Sequence, residues 1–295
     1  VTSIQPPGVD EPAPPPRAAT HDPAPGPCGA AAWPPWTSIA ALFAGLLVTV
    51  LGSAVVAIVS GTAGELDDPP PAVNIALTLF QNMALVGAAV GFAYLVGRPR
   101  AADFGLVRPP RIRRAIGMIA VVFVSFYALS GAWVTLLGLD EKQELPDRLG
   151  ADGSLVNVLA VVFLITVIAP LGEELFFRGY FFGSLRNWRG PWLAAVLTGA
   201  VFGLIHFGSA PVGFIVPLGF FGFGLCLLYH YSGSLYPCIA LHALNNSIAL
   251  GATLHWSWQI PVTMVGSVIV ALAIAARFAH VLGGALPAPA PAPAG

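Results

Sequence analysis

Long apolar runs alternate with short polar stretches between residues 36 and 282, and many of the runs have the length of a bilayer crossing. About 20 apolar residues span the hydrocarbon core as a helix. Trp36–Ser60, Val73–Gly97, Ala115–Leu139 and Ser154–Gly172 meet that length. From Gly190 to Ala276 there is no Asp, Glu, Lys or Arg, so turn residues must divide this stretch. Gly208–Pro211, Ser232–Ser234 and the polar Gly251–Trp258 region cut it into Pro191–Phe207, Val212–Tyr231, Leu235–Leu250 and Gln259–Leu282. The pattern predicts an all-α polytopic membrane protein with about eight transmembrane helices. Trp188, Trp192, Tyr229, Tyr231, Tyr236, Trp256 and Trp258 fall near the predicted ends, where interfacial aromatics gather. Gly87, Gly91, Gly203, Gly222 and Gly224 read as points of close helix packing.

Composition agrees with a lipid-embedded chain. The 295 residues are 56% hydrophobic and only 9% charged, against about 25% charged in a soluble domain. Mean hydropathy is +0.79. With 13 basic and 14 acidic residues there is no basic excess, which excludes a nucleic-acid partner. Cys28, Cys226 and Cys238 show no metal-type or disulfide spacing. Arginine far outnumbers lysine, and Ala, Gly and Pro are abundant, a usage that points to a GC-rich bacterial source.

These features divide the chain into five parts. Residues 1–35 form a Pro-rich tail that cannot bury a core and is expected to be disordered. It lacks the apolar h-region of a secretory signal. Residues 36–150 hold the N-terminal transmembrane helices, 151–252 a core of further apolar segments interrupted by polar residues, 253–285 the last helix, and 286–295 a Pro/Ala-rich tail.

Arginine sets the expected orientation. Arg98, Arg100, Arg108, Arg111, Arg113 and Arg114 mark the loop after the second span as cytoplasmic. Arg186, Arg189 and Arg277 alternate consistently with it. The expectation is a multi-pass protein of the cell membrane with both termini in the cytoplasm.

Ionisable residues inside a span are costly and mark function. Glu173, Glu174 and Arg178 continue the fourth span, His206 closes the fifth, and His242, Asn245 and Asn246 lie within the seventh. At 1.5 Å per residue, Glu173 lies about 20 Å from Arg186, and His206 about 24 Å from Gly190. His242 and Asn246 lie about 12 and 18 Å from Ser234. All four fall in one slab, and a site opening toward the cytoplasmic side is expected. His242 and Asn246 are four apart and share a face, while Asn245 points about 100° away from Asn246. Glu174 and Arg178 are also four apart and are expected to pair as supporting structure, which leaves Glu173 to meet His206. His21, His230, His255 and His280 lie at predicted interfaces or in polar regions and are read as structural.

The run Glu173-Glu174-x-x-x-Arg178, then Phe202-x-x-x-His206, then Gly233-Ser234-Leu235-Tyr236-Pro237 leading to His242-x-x-x-Asn246, resembles the CPBP family of intramembrane metalloproteases. That family includes the type II CAAX prenyl endopeptidases and bacterial relatives linked to bacteriocin immunity. The likeness covers roughly Leu155–Leu250. It implies an intramembrane endopeptidase acting on a peptide or protein at the lipid bilayer. Glu173 and His206 would activate water, and His242 and Asn246 would stabilise the oxyanion.

The residue types suit that chemistry, since hydrolysis needs a positioned base and donors aimed at the developing oxyanion. Glu173, His206 and His242 are also the donor types of a catalytic zinc site, so a zinc-bound and a metal-free reading both stand. Two other classes use similar residues: a transporter moving ions along buried acids, and a non-catalytic membrane immunity or binding partner. No internal repeat supports the transporter.

Overall fold

The computed structural model describes residues 33–62, 70–139, 146, 149–151 and 153–283. The remainder of both tails, Cys28 and most of the acidic 140–152 loop lie outside the described residues. Among the described residues the architecture is helical throughout, and the one β-feature is an isolated bridge between Phe207 and Ala210.

Helix α1 spans Pro35–Val59 and α2 Pro71–Val96, each with proline in its first turn, where the missing N–H has no intrahelical use. Helix α3, Ile112–Leu137, ends at Gly138 in the left-handed region. Then comes α4, a run from Leu155 to Leu204. It breaks at Gly190, with φ 81° and ψ 171°, directly before Pro191. That backbone is open to glycine, and the proline cannot donate back across the break. Helix α5, Ile215–Ser232, stops at left-handed Gly233. Helices α6, Tyr236–Thr253, and α7, Gln259–Val281, complete the bundle.

Among the described residues six helices are long and apolar enough to cross a membrane: α1, α2, α3, the α4 run taken as one, α5 and α7. The sequence pattern divides the chain into about eight spans. The two counts differ in two places, and both have a physical origin. The α4 run holds two arms on either side of Gly190. Helix α6 carries His242, Asn245 and Asn246, which dilute its apolar character.

Two stretches of α4 are wound as π-helix, Leu164–Ile168 and Leu175–Phe182. They flank the short α-helical segment Ala169–Glu174 that carries both glutamates. Such wide turns cluster at functional sites. Nothing in the apolar pattern signalled them.

Close packing centres on the second arm of α4 and on α5. A Cβ on Gly203 would stand 2.5 Å from the Ile215 carbonyl oxygen, and one on Gly199 2.7 Å from that of Gly219. Gly222 meets Phe202, and Gly224 meets Val122, in the same way. Gly87 and Gly91 have open space instead, so the expected packing role does not apply there. Gly87 borders an apolar groove of about 480 Å³ between α2, α4, α6 and α7.

The arginine-rich end of the bundle is closed. Phe104 and Leu106, from the connection between α2 and α3, are buried. Leu235 N–H donates to the Gly105 carbonyl at 2.8 Å, and the Ser234 hydroxyl donates to that of Val107. Trp33 packs on Phe104 and Tyr180 with ring centroids 5.0 and 4.7 Å apart. Trp33 is therefore part of the folded body, although the composition assigned it to the tail. Tyr229 is another departure: it is buried against Gly105 and Phe182 rather than interfacial.

Candidate active site

A cavity of about 190 Å³ lies among α2, α4, α5 and α6, and Glu173, His206, His242 and Asn246 all line it. These four residues, expected in one slab of the membrane, share one space in the folded chain.

Glu173 and Glu174 part company as their positions on α4 require. Glu174 is fully buried, as is Arg178, and the carboxylate Oε1 accepts from Arg178 Nη1 at 2.7 Å. Arg178 donates in addition to the Gly222 carbonyl at 3.1 Å, and its guanidinium lies 4.4 Å from the centre of the Phe202 ring. An ion pair held this way offsets much of the cost of burying both charges. Glu174 has a second partner that the helix spacing did not suggest: the same Oε1 stands 2.7 Å from His242 Nδ1.

Glu173 keeps 16% of its side chain exposed and faces the cavity. Its Oε2 lacks a hydrogen-bond partner. The imidazole beside it is that of His242, with Nε2 at 3.9 Å, whereas His206 was the expected neighbour. The gap is too long for a hydrogen bond, but one oxygen can sit within about 2.8 Å of both atoms.

The two histidines are set alike. His206 Nδ1 meets the Phe202 carbonyl oxygen at 2.7 Å, and His242 Nδ1 meets the Glu174 carboxylate. Each acceptor demands a proton on Nδ1, which leaves both Nε2 atoms for the cavity. The His242 ring is further fixed edge-on between Phe202 and Phe221.

Asn246 donates from Nδ2 to the Ile165 carbonyl at 2.9 Å. Asn245 also lines the cavity, contrary to the expectation that it points away. Residues three apart are helix neighbours as surely as residues four apart, so His242 and Asn245 share a face as His242 and Asn246 do. That spacing was the available signal for Asn245. Tyr127 of α3 donates to the Asn245 Oδ1 at 3.2 Å. No motif marked this tyrosine.

Zinc requires three or more donors drawn onto one ion. Two imidazoles with fixed Nδ1–H groups and a carboxylate are chemically suitable. Among the described residues, however, no three His, Cys, Asp or Glu side chains stand close enough to hold an ion.

The cavity also reaches Pro146, Ser209, Ala210 and Thr253. These lie at the helix ends away from the 98–114 arginine loop. A cavity extending toward the arginine side was expected, and the difference is one of depth. His206, about 24 Å from Gly190, has already crossed most of a hydrocarbon core of about 30 Å.

The fold and cavity are those of an all-α, polytopic membrane protein with acid, imidazole and amide groups gathered inside the bundle. Residues 155–248 match the family "Type II CAAX prenyl endopeptidase Rce1-like", and over this segment the chain is similar to that family of peptide hydrolases. Its relatives include the UPF0177 protein YxdF of Lactococcus lactis subsp. lactis (strain IL1403), 24% identical over 46% of this chain and 75% of the relative. An uncharacterized 24.3 kDa protein of Escherichia coli is 31% identical over 35% of this chain and 46% of its own length. No solved structure matches the chain.

Proposed function

We propose that the protein is an intramembrane endopeptidase that hydrolyses a peptide bond of a membrane-associated protein or peptide. The observation that carries this is the orphaned Glu173 Oε2, facing a cavity shared with two imidazoles and an amide. A carboxylate without a hydrogen-bond partner, in a space able to hold water, is a base awaiting its proton donor.

In this reading Glu173, aided by His206, takes a proton from water, and the water oxygen attacks the scissile carbonyl. The developing oxyanion receives hydrogen bonds from Asn246 Nδ2 and from His242 Nε2 in its protonated form. The Glu174 carboxylate behind Nδ1 supports the positive charge on that ring. Collapse of the tetrahedral intermediate breaks the C–N bond, and Glu173 returns its proton to the leaving amine. The site's low dielectric strengthens each of these interactions.

Every proton in this step moves through the chain's own groups, and Glu173, His206 and His242 do not form a three-donor set. A zinc-dependent version requires those side chains to draw together. Chelator treatment of the purified protein is expected to leave its cleavage rate unchanged. Loss of activity with recovery on added Zn²⁺ would assign the metal to those three residues.

The proposed setting is a bacterial cell membrane with both termini in the cytoplasm, as the arginines indicate, and with the cavity extending toward the opposite face. The test is proteomics of membranes from cells carrying wild-type or Glu173→Gln protein. Peptides whose cleavage requires Glu173 are expected; identical peptide sets would refute the proposal.

A further inference from the structure

Proline at position 170 has an effect beyond its own helix. In the π-wound turn Leu164–Ile168, the Ala169 N–H goes to the Leu164 carbonyl. The next donor in that register would be residue 170, and proline has no N–H. The Ile165 carbonyl is thereby left for a side chain, and Asn246 Nδ2 takes it at 2.9 Å.

A carbonyl can only accept, so this bond fixes which end of the Asn246 amide is nitrogen. Its Oδ1 then faces Asn245, whose Nδ2 donates to it at 3.4 Å. That in turn points Asn245 Oδ1 at Tyr127, which must donate its hydroxyl proton, and does so at 3.2 Å. Every link has one allowed direction. The last two are long, so each is a weak bond individually.

From this we infer that Tyr127 and Asn245 are positioning residues, which hold Asn246 with its second Nδ2–H turned into the cavity. The chain runs Tyr127 to Asn245 to Asn246 to the Ile165 carbonyl. It rests on Asn246 serving as an oxyanion donor, the reading given above. Tyr127 lies on α3, outside the 155–248 segment matched by the family, and reaches the site only through the asparagines. Without Tyr127 and Asn245, only the Ile165 carbonyl holds the Asn246 amide, and rotation that presents oxygen, which repels an oxyanion where nitrogen attracts it, is less strongly opposed.

The test has two parts, both on the full-length protein in detergent. The first is a thermal double-mutant cycle with Tyr127→Phe and Asn245→Ala. Melting shifts smaller together than the sum of the singles are expected, because both variants break one chain. Additive shifts would show that the groups are not linked and would overturn the proposal whatever the protein does catalytically.

The second part uses a peptide found to require Glu173. Tyr127→Phe should lower kcat several-fold with KM within about twofold of wild type, as expected for an interaction that matters only in the transition state. Asn245→Asp gives a sharper readout. When protonated, the introduced carboxyl both accepts from Tyr127 and donates to Asn246 Oδ1, as the amide does. When ionised, it can only accept and faces Asn246 Oδ1 with repulsion. Its rate relative to wild type at the same pH should therefore be near one in acid and fall by about tenfold or more as the pH rises. The other titratable groups at the cavity, Glu173, His206 and His242, are common to both proteins and cancel in that ratio, apart from any direct influence of the new carboxyl on His242. Tyr127→Phe in the Asn245→Asp background separates that influence: if the relay is responsible, the rate in acid should recover only to the several-fold reduced level of Tyr127→Phe alone rather than to that of wild type. A pH-independent ratio, or losses confined to KM, would overturn the proposal. Asn246→Ala distinguishes the underlying reading: if it cleaves as fast as wild type, the oxyanion assignment itself is wrong.

Discussion

Glu174 Oε1 stands 2.7 Å from His242 Nδ1 and the same distance from Arg178 Nη1. One buried oxygen thus joins a structural cation to an imidazole of the cavity, and the two functions cannot be altered separately at Glu174. Its neighbour Glu173 touches neither Arg178 nor the Nδ1 side of His242, and its free oxygen faces the cavity. Adjacent positions about 100° apart on an α-helical segment give the two carboxylates these different surroundings.

Glu173→Gln should therefore leave a normally folded protein with no detectable proteolysis. Glu174→Gln should lower the melting temperature and the membrane yield. It should also reduce activity per folded molecule, because the amide can present its NH₂ to His242 and disturb the proton on Nδ1. Melting curves and cleavage rates of both variants, measured side by side, decide this. A Glu173→Gln protein that unfolds while Glu174→Gln is stable and fully inactive would reverse the assignments.

Arg178 is fully buried with its partner, and removing one member of such a pair typically costs about 3–5 kcal/mol. Arg178→Met should be severely destabilised. The double variant Arg178→Met/Glu174→Gln should lose less than the sum of the two single losses, since neither charge is then stranded. Additivity in denaturant or thermal unfolding would mean that the pair contributes no coupling.

The spacing of polar residues within apolar runs made much of this site legible. Glu174 with Arg178, and His242 with Asn246, follow from one helical period. The meeting of Glu173, His206, His242 and Asn246 in one cavity follows from counting depth along separate helices. The contact between Glu174 and His242 did not follow, because it joins residues 68 positions apart through a packing angle that no local period encodes. The π-wound turns and the role of Pro170 in freeing the Ile165 carbonyl were hidden for a related reason. A hydrophobic run reads the same whether it winds with 3.6 residues per turn or more. Polarity also obscured α6, where the residues that make the site weaken the signal of a span.

Gly203 tests how tightly α5 fixes the histidine end of α4. A methyl group there would stand 2.5 Å from the Ile215 carbonyl oxygen and 3.0 Å from Gly219 N. Both are backbone atoms that cannot swing aside. Gly203→Ala should cost about 1–3 kcal/mol through overpacking and displace His206, three residues on. Gly87→Ala, where nothing lies within 4 Å, should melt as wild type does. Equal melting temperatures for the two variants would show that the helices separate freely at Gly203.

The last prediction concerns the side from which the site is reached. The connection between α2 and α3 seals the arginine-rich end, with Phe104 and Leu106 buried and Trp33 packed on Phe104. Ser209, Ala210 and Thr253 border the cavity at the other end, and Ser209 is joined to His206 through hydrogen bonds to its carbonyl at 3.0 and 3.2 Å. If the arginine loop is cytoplasmic, as positive charge favours, the cavity extends toward the outer face. Cys226 and Cys238 are buried, and with Cys28 replaced by serine, thiols introduced at the surface can be read above a low background. In intact cells, Ser209→Cys should react with a membrane-impermeant maleimide added from outside. Arg111→Cys, in the arginine loop, should react only after the membrane is opened. Labelling in the opposite sense would invert the topology and place the cavity toward the cytoplasm. If neither thiol reacts before the membrane is opened, the Ser209 end is not reached from outside, and a route through the bilayer must be sought instead, beginning with the apolar groove beside Asn82, a residue that borders both spaces.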